Sequence, residues 1–423
     1  MGKATYRILA IVVFGFFVLT SRADAGDWEI CNSQDMYNAT DIFSVEKSCN
    51  AIIAAGTEPN ERLAVAFNNR GFVYLTMFCG HVGIAAAVAD FNRAIEIKPD
   101  YAAAFDSLGM AYFCKGEIET AIKNFDKEID LDHEHARAFR NRGDAYNQLQ
   151  KYDFALRDYD RAIEIDPQYV QAIFNRGDLY KELQKFDLAI KDYSAGILLR
   201  PDHAPAFIAR SIAFLNLDEL DNALSDSENA VALVPKDPAA IDQRGKVYFR
   251  KGQIDNAFKD FDKAVGLASG QTGAFQTRGD AYFDLQNYAL AVKDYGEVIA
   301  IEPNQAPAYE NRSSAYAHLE DFDRAIADLD IAIPLDRKNP INYYELGKDY
   351  YRKGKFEQAI GDFDQALALD SQVPEVFFER GLSYEQRGDV TRAIADFKMA
   401  LSLNPQDDVL KLATEGLKRL GIK

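Results

Sequence analysis

The sequence is poor in the residues that most often carry chemistry. Its 423 residues include five His, four Cys, five Met and one Trp. It also lacks the HExxH, GxSxG and GxGxxG motifs and the phosphate-binding loop that mark common enzyme classes. The cluster His133-Glu134-His135 is interpreted as a surface turn. We therefore expect no metal, no cofactor and no enzymatic activity.

Basic residues are outnumbered as well. The chain has 48 Lys and Arg against 66 Asp and Glu, which gives a formal charge of -18. Nucleic acids and anionic membranes are bound through basic surfaces, so this balance argues against both. Hydrophobic residues make up 48% of the chain, which is enough to bury a core.

Long apolar runs are absent except near the start. Ile8 to Thr20 follows Lys3 and Arg7, and small residues end the pattern at Ala25. This arrangement is typical of a secretory signal peptide over residues 1–25. The run is shorter than the roughly 20 residues that span a bilayer, and an uncleaved anchor is the alternative. We expect an exported protein, periplasmic or secreted, with no membrane insertion after cleavage.

The four cysteines all lie in the first quarter of the chain, at Cys31, Cys49, Cys79 and Cys114. In an oxidising compartment an even number predicts two disulfides, and four cysteines allow three pairings. A zinc site is a weaker alternative, because no CxxC motif occurs and His81 is the only His near the cysteines.

A repeat of 34 residues dominates the sequence. A small residue recurs at one position, with a spacing of 38 residues once and 34 thereafter: Gly71, Gly109, Gly143, Gly177, Ser211, Gly245, Gly279, Ser313, Gly347 and Gly381. An aromatic residue follows three positions later, and an Ala follows further along each period. Within a period the apolar residues form two stripes with helical spacing, which predicts two amphipathic helices joined by a turn.

These motifs resemble the tetratricopeptide repeat family. Numbering each period from 1 to 34, the small residue falls at 8, aromatics at 11 and 24, Ala at 20 and 27, and Pro at 32. The resemblance implies an all-α, right-handed superhelical solenoid with about ten repeats over residues 64–407. A Cys-containing leader over 26–63 and a capping helix over 408–423 would flank them. The leader resembles one found in exported bacterial members of the family.

The resemblance also favours one disulfide pairing. Leading helices of neighbouring repeats stack side by side in this family, which brings Cys79 close to Cys114. In the leader, a helix is expected from Asp41 to Ala55. A Cys31–Cys49 bridge would tie the extended segment before that helix to it.

Position 7 departs from the family pattern, in which it is usually aliphatic. Position 7 is Arg in eight repeats and position 23 is Asp in nine. In a hairpin that turns near position 15 these positions face each other, so we predict ion pairs across the hairpins: Arg142–Asp158, Arg176–Asp192, Arg244–Asp260, Arg278–Asp294, and likewise Arg70–Asp90, Arg210–Asp226, Arg312–Asp328 and Arg380–Asp396. An arginine ladder for anionic ligands is the alternative.

Members of the family bind partners in a concave groove lined by the leading helices. The groove positions of repeats six and nine combine basic and aromatic residues: Lys246, Phe249, Arg250, Tyr344, Lys348, Tyr351 and Arg352. Such residues are frequent in binding hot spots, so we expect a peptide or acidic segment to bind here. Packing between repeats is the alternative role. The family's carboxylate clamp is not expected, because Asp144 and Asp178 interrupt its pattern.

The resemblance therefore implies an exported, non-catalytic scaffold that binds proteins or peptides. A self-assembling structural protein of the cell envelope and an enzyme with an unrecognised site are the alternatives. The sequence leaves the partner, the pathway and the oligomeric state open.

Overall fold

The computed structural model describes residues 25–33, 42–77, 81–268 and 270–422. These residues form helices and no strands, which confirms the expected all-α repeat fold. Residues 1–24 of the predicted signal peptide lie outside the described residues. Within the described ranges no helix combines the length and apolar character that crossing a membrane requires.

The chain divides into two compact units, Met1–Pro201 and Asp202–Lys423. Unit 1 contains ten helices among its described residues: α1 (Ala25–Cys31), α2 (Ile42–Ala55), α3 (Asn60–Met77), α4 (His81–Ile97), α5 (Ala102–Lys115), α6 (Ile118–Leu131), α7 (Ala136–Gln148), α8 (Tyr152–Ile165), α9 (Val170–Glu182) and α10 (Phe186–Leu199).

Unit 2 continues the same pattern. Its helices are α11 (Ala204–Asn216), α12 (Leu220–Leu233), α13 (Pro238–Arg250), α14 (Ile254–Leu267), α15 (Gly273–Asp284), α16 (Tyr288–Ile301), α17 (Ala306–His318), α18 (Phe322–Leu335), α19 (Pro340–Arg352), α20 (Phe356–Leu369), α21 (Pro374–Gln386), α22 (Val390–Ser402) and α23 (Asp407–Arg419). From α3 to α22, each odd-numbered leading helix packs on the even-numbered trailing helix that follows it.

The turn between the two helices requires a left-handed residue at position 15. Gly116 and Gly354 supply it with φ values of 81° and 72°. Other repeats place a polar residue there, such as Gln150 with φ 57° and Glu320 with φ 58°. Because only Gly adopts this conformation without strain, each such polar residue is held there by the helices on both sides.

The small residue at position 8 faces the aromatic ring at position 24 of the same repeat. A Cβ atom on Gly143 would lie 2.8 Å from the Tyr159 ring. In the fifth repeat Ser211 occupies position 8, and position 24 is Ser227 rather than a ring. The hydroxyl of Ser211 donates to the Ala223 carbonyl oxygen at 2.8 Å. The two positions therefore change together, because a ring leaves no room for a side chain opposite it.

The leader is more helical than expected. Cys31 ends helix α1 rather than an extended segment, and it forms a disulfide with Cys49 of α2. Helix α2 ends at Ala55, followed by Gly56 with φ 60°. Cys79 lies outside the described residues, so its bridge to Cys114 stays a prediction.

Helix α23 closes unit 2. It begins at Asp407, one residue before the capping helix expected over 408–423, and ends at Arg419. Leu417 and Gly416 are buried, and a Cβ atom on Gly416 would lie 2.8 Å from the Phe397 ring. The helix therefore packs on the α21–α22 hairpin.

Candidate functional site

The Arg and Asp columns meet across the hairpins. The Arg142 guanidinium donates two hydrogen bonds to Asp158, through Nε at 2.8 Å and a terminal nitrogen at 2.7 Å. The same two-bond geometry joins Arg176–Asp192, Arg244–Asp260, Arg278–Asp294, Arg70–Asp90, Arg210–Asp226, Arg312–Asp328 and Arg380–Asp396. The Asp partners are buried, so these arginines are engaged inside the fold rather than offered to an anionic ligand.

Several of these arginines also contact the preceding repeat. Arg278 reaches Asp262 of α14 at 2.7 Å while it holds Asp294 of α16. Arg142 contacts Asp126 of α6 at the same distance. One side chain therefore ties its own hairpin and links it to the one before, a role that the hairpin geometry alone did not predict.

Repeat nine keeps the Asp of this ion pair but lacks the Arg. Its position 7 is Leu346, yet Asp362 remains at position 23. Burial raises the pKa of Asp362 to about 7, with a further contribution from the nearby Asp330 carboxylate. Repeat two instead lost both partners, since Leu108 stands opposite Asn124.

The first candidate binding surface is the Lys246 pocket of unit 2. Lys246, Phe249 and Arg250 line it together, as the sequence suggested. Leu215 of α11 adds an apolar wall. Helix α15 contributes polar groups, among them Gln276. The pocket has a volume of about 490 Å³.

The basic residues of this surface are neutralised locally. Lys246 donates to Asp242 at 2.7 Å, and Arg250 contacts Asp218 at 3.0 Å. Two further carboxylates, Asp280 and Asp284, line the pocket. The surface therefore has no excess of positive charge for an acidic partner.

The predicted groove residues of repeat nine separate into two groups. Lys348 and Arg352 line a second cavity of about 330 Å³, the Asp349 pocket. Tyr344 packs on Phe363 with ring centroids 6.1 Å apart, and Tyr351 packs on Phe356 at 5.6 Å. The two tyrosines thus contribute to packing within the repeat, and neither is among the residues that line this cavity.

A third cavity lies in unit 1 and has a volume of about 640 Å³. This unit 1 pocket has an apolar wall with Phe72 and Met110, and buried polar residues that include Asn68 and Asn141. Asn141 donates to Asp106 at 2.6 Å, which leaves its amide oxygen buried without a partner among the described residues.

Four residues match part of the family's carboxylate clamp, Arg137, Arg140, Asn141 and Asn175, and internal contacts occupy them. Arg137 contacts Asp106 of the preceding repeat at 2.8 Å, and Asn175 donates to Asp144 of the preceding repeat at 2.7 Å. Arg140 contacts Asp144 of its own helix at 2.9 Å. Arg137 and Asn175 therefore link neighbouring repeats.

Glu128 of α6 occupies a column that is Ala in most repeats. Its Oε1 lies 2.7 Å from Nδ1 of His135, which the sequence placed in a surface turn. Burial raises the pKa of Glu128 to about 7, and the contact with Glu128 raises the pKa of His135. Across the described part of the chain no cluster of His, Cys, Asp and Glu could hold a metal ion.

Sequence reasoning missed a buried Tyr–Asp contact. Three repeats have Tyr instead of Phe at position 24. In each of them the Tyr hydroxyl donates a hydrogen bond to the Asp at position 9 of the same repeat: Tyr159 to Asp144 at 2.8 Å, Tyr193 to Asp178 at 2.7 Å and Tyr295 to Asp280 at 2.8 Å. A buried Tyr hydroxyl needs such a partner, so these acids have a structural role. The signal was present in the sequence, since Asp occurs at position 9 only in the repeats with that Tyr.

Comparison with protein-family models gives matches along much of the chain. Two models described as tetratricopeptide repeat match residues 277–340 and 344–408, and residues 170–203 and 239–271. A model described as TPR repeat matches residues 143–184. Together these segments cover more than half of the chain. No curated protein gave a significant match.

Solved structures give long but distant matches. Yeast Tom70 is 15% identical, with coverage of 92% of this chain and 94% of that one and a TM-score of 0.45. The C-terminal part of a TPR repeat-containing protein from Cytophaga hutchinsonii is 18% identical, with coverage of 58% and 99% and a TM-score of 0.48. YrrB, described as a TPR protein with an unusual peptide-binding site, is 22% identical, with coverage of 44% and 97% and a TM-score of 0.39.

Proposed function

Because this chain belongs to the tetratricopeptide repeat family, we propose that it is a non-catalytic scaffold that binds peptide segments of protein partners along its leading helices. The family supports a protein-interaction role. The pockets of each unit supply the candidate contact surfaces.

One observation carries this proposal. Buried polar atoms without a hydrogen-bond partner occur repeatedly on leading helices, at Asn68, Asn141, Asn147, Asp242 and Asp349. Buried polar groups in native proteins are nearly always bonded, and an unpaired one costs about 1–3 kcal/mol. All five atoms are oxygens, and three of them belong to residues that line pockets, Asn68, Asn141 and Asp349, where the N–H groups of a bound peptide would supply donors.

The apolar walls support the same kind of ligand. Phe72 and Met110 line the unit 1 pocket, and Leu215 and Phe249 line the Lys246 pocket. A cleft that combines aromatic and aliphatic walls with a few polar groups is suited to a side-chain anchor beside a hydrogen-bonded backbone. Since Lys246 and Arg250 are paired with acids, the proposal includes no preference for acidic peptides.

A random dodecapeptide library, selected against the protein without residues 1–25, tests the proposal. We expect enriched peptides whose affinity falls about tenfold when Phe249 or Phe72 is changed to Ala. Phe154→Ala is the matched control, because Phe154 is 52% exposed and lies on trailing helix α8. Failure to enrich any peptide would refute the peptide-scaffold proposal.

We also propose that the protein works outside the cytosol. The Cys31–Cys49 disulfide supports this, because such bonds persist mainly in oxidising compartments. Acid-quenched native cells treated with a thiol-alkylating reagent should yield Cys31 and Cys49 unmodified until a reductant is added. Full alkylation of both residues without reductant would contradict the proposal.

A further inference from the structure

Asp349 is an acid in a column of the core that is apolar in most repeats. The equivalent residues of the three preceding repeats are Val247, Ala281 and Ala315, and the following repeat has the uncharged Ser383. Asp349 is only 3% exposed, and its Oδ2 has no hydrogen-bond partner among the described residues. Asp349 also lines the Asp349 pocket, so a group that enters the cavity meets a side chain whose carboxylate is not satisfied by the fold.

The cavity is shaped to hold one side chain. Helices α17 and α19 form two of its walls, and the turn after α17 closes a third side. Ala317 and Phe322 supply apolar contacts, and Ser314 and His318 add polar ones. An aliphatic stem could therefore pack on the wall while its polar end reaches Asp349.

Charge around Asp349 favours a cation. The other acids of the pocket are Glu345 on α19 and Glu320 in the turn, and its bases are Lys348 and Arg352. Both bases also interact with Glu379 of α21. Lys348 is held by Glu345, with its Nζ 2.9 Å from Oε2.

The pKa shifts agree with a local shortage of positive charge. Burial raises the pKa of Asp349 to about 7, and the Glu345 carboxylate contributes. Burial also raises the pKa of Glu379, and the charges of Lys348 and Arg352 lower the pKa of both acids. The net pKa shift of each acid is still upward, so the two bases do not offset its burial, and neither base is hydrogen-bonded to Asp349.

We propose that the Asp349 pocket binds a basic side chain, Lys or Arg, of a peptide partner, with its cationic end paired to Asp349. This assignment rests on the proposed peptide-binding function and names the chemistry of the partner. It reverses the expectation of an acidic segment at repeat nine.

Peptide selection with matched variants tests the pocket. The random dodecapeptide library is selected in parallel against the wild-type protein, Asp349→Asn and Asp362→Asn. Asp362 is the control, because it lies in the same repeat and its pKa is also raised to about 7, yet it does not line the pocket. Wild type and Asp362→Asn should enrich Lys or Arg at one fixed position, and Asp349→Asn should not.

Titration calorimetry then isolates the ion pair. In an enriched peptide the basic residue is replaced by norleucine, which keeps the aliphatic stem and removes the charge. The replacement should weaken binding to the wild type about 10- to 100-fold and have little effect on Asp349→Asn. Equal losses in both proteins, or enriched peptides without a basic position, would overturn the pocket assignment alone. Failure of every protein to enrich peptides would refute peptide binding itself.

Discussion

The Arg278–Asp294 pair gives the sharpest stability prediction. Arg278→Leu removes two 2.7 Å hydrogen bonds to Asp294, whose side chain is only 2% exposed. Breaking a buried pair by removing one partner costs about 3–5 kcal/mol, because the other charge stays buried and unpaired. The lost contact with Asp262 adds at most about 1 kcal/mol, since that carboxylate is 62% exposed.

Repeat two shows which second substitution would compensate for the loss of Arg278. Repeat two carries Leu108 and Asn124 where other repeats carry Arg and Asp. Arg278→Leu combined with Asp294→Asn should therefore be about 2–4 kcal/mol more stable than Arg278→Leu alone, because no unpaired charge is buried.

Two measurements report this effect. Urea unfolding at pH 7 gives the overall loss, and amide hydrogen exchange shows whether it is confined to α14, α15 and α16. Hydrogen exchange is needed because each repeat of a solenoid contacts only its neighbours, so separate segments can unfold with different free energies. A cost below about 1 kcal/mol for Arg278→Leu, or a double variant no more stable than the single one, would refute the reasoning.

Three further predictions follow from the same fold. Gly143→Ala should cost about 1–3 kcal/mol in urea unfolding, because the added Cβ would lie 2.8 Å from a buried ring. Gly361→Ala is the control and should gain about 0.5–1 kcal/mol, because no atom lies within 4 Å of its added Cβ. Equal effects of the two substitutions would contradict the packing argument. Cys31→Ser with Cys49→Ser opens a loop with a sequence separation of 18, so α1 and α2 should lose about 3 kcal/mol of protection from hydrogen exchange, and unchanged exchange there would refute this. The pKa of Asp362 is raised to about 7 in the folded state, so the wild type loses stability as pH rises from about 4 to 7. Asp362→Asn should therefore gain about 1–3 kcal/mol in urea unfolding at pH 8 and little at pH 4. A gain that does not depend on pH would contradict this assignment.

The sequence predicted the Arg–Asp geometry because that geometry is local. A hairpin with a fixed turn sets which positions face each other, and Arg142 meets Asp158 accordingly. The second contact, from Arg142 to Asp126, depends on how one repeat stacks on the preceding one. The spacing of residues within a repeat carries no information about how neighbouring repeats stack.

The groove residues were harder to predict because rotamers decide their roles. Lys348 and Tyr351 belong to the same helix and to the same predicted surface. Lys348 lines the Asp349 pocket, whereas the ring of Tyr351 packs on Phe356 of the trailing helix. A large ring gains more by burial against its own hairpin, so the spacing of aromatic residues overestimates the binding surface.

Two buried acids occupy columns that are apolar in most repeats, and their contacts indicate a structural role for one and a ligand-binding role for the other. Glu128 and Asp349 both interrupt such a column, and burial raises the pKa of each to about 7. Oε1 of Glu128 is met by His135 at 2.7 Å, so the fold supplies a partner for one of its two oxygens. For Asp349 no side-chain hydrogen bond exists within the described residues, and the charges of Lys348 and Arg352 lower its pKa without either base bonding to it. Because an unpaired buried carboxyl is costly, the cation of a bound partner accounts for an acid at this position, whereas packing does not.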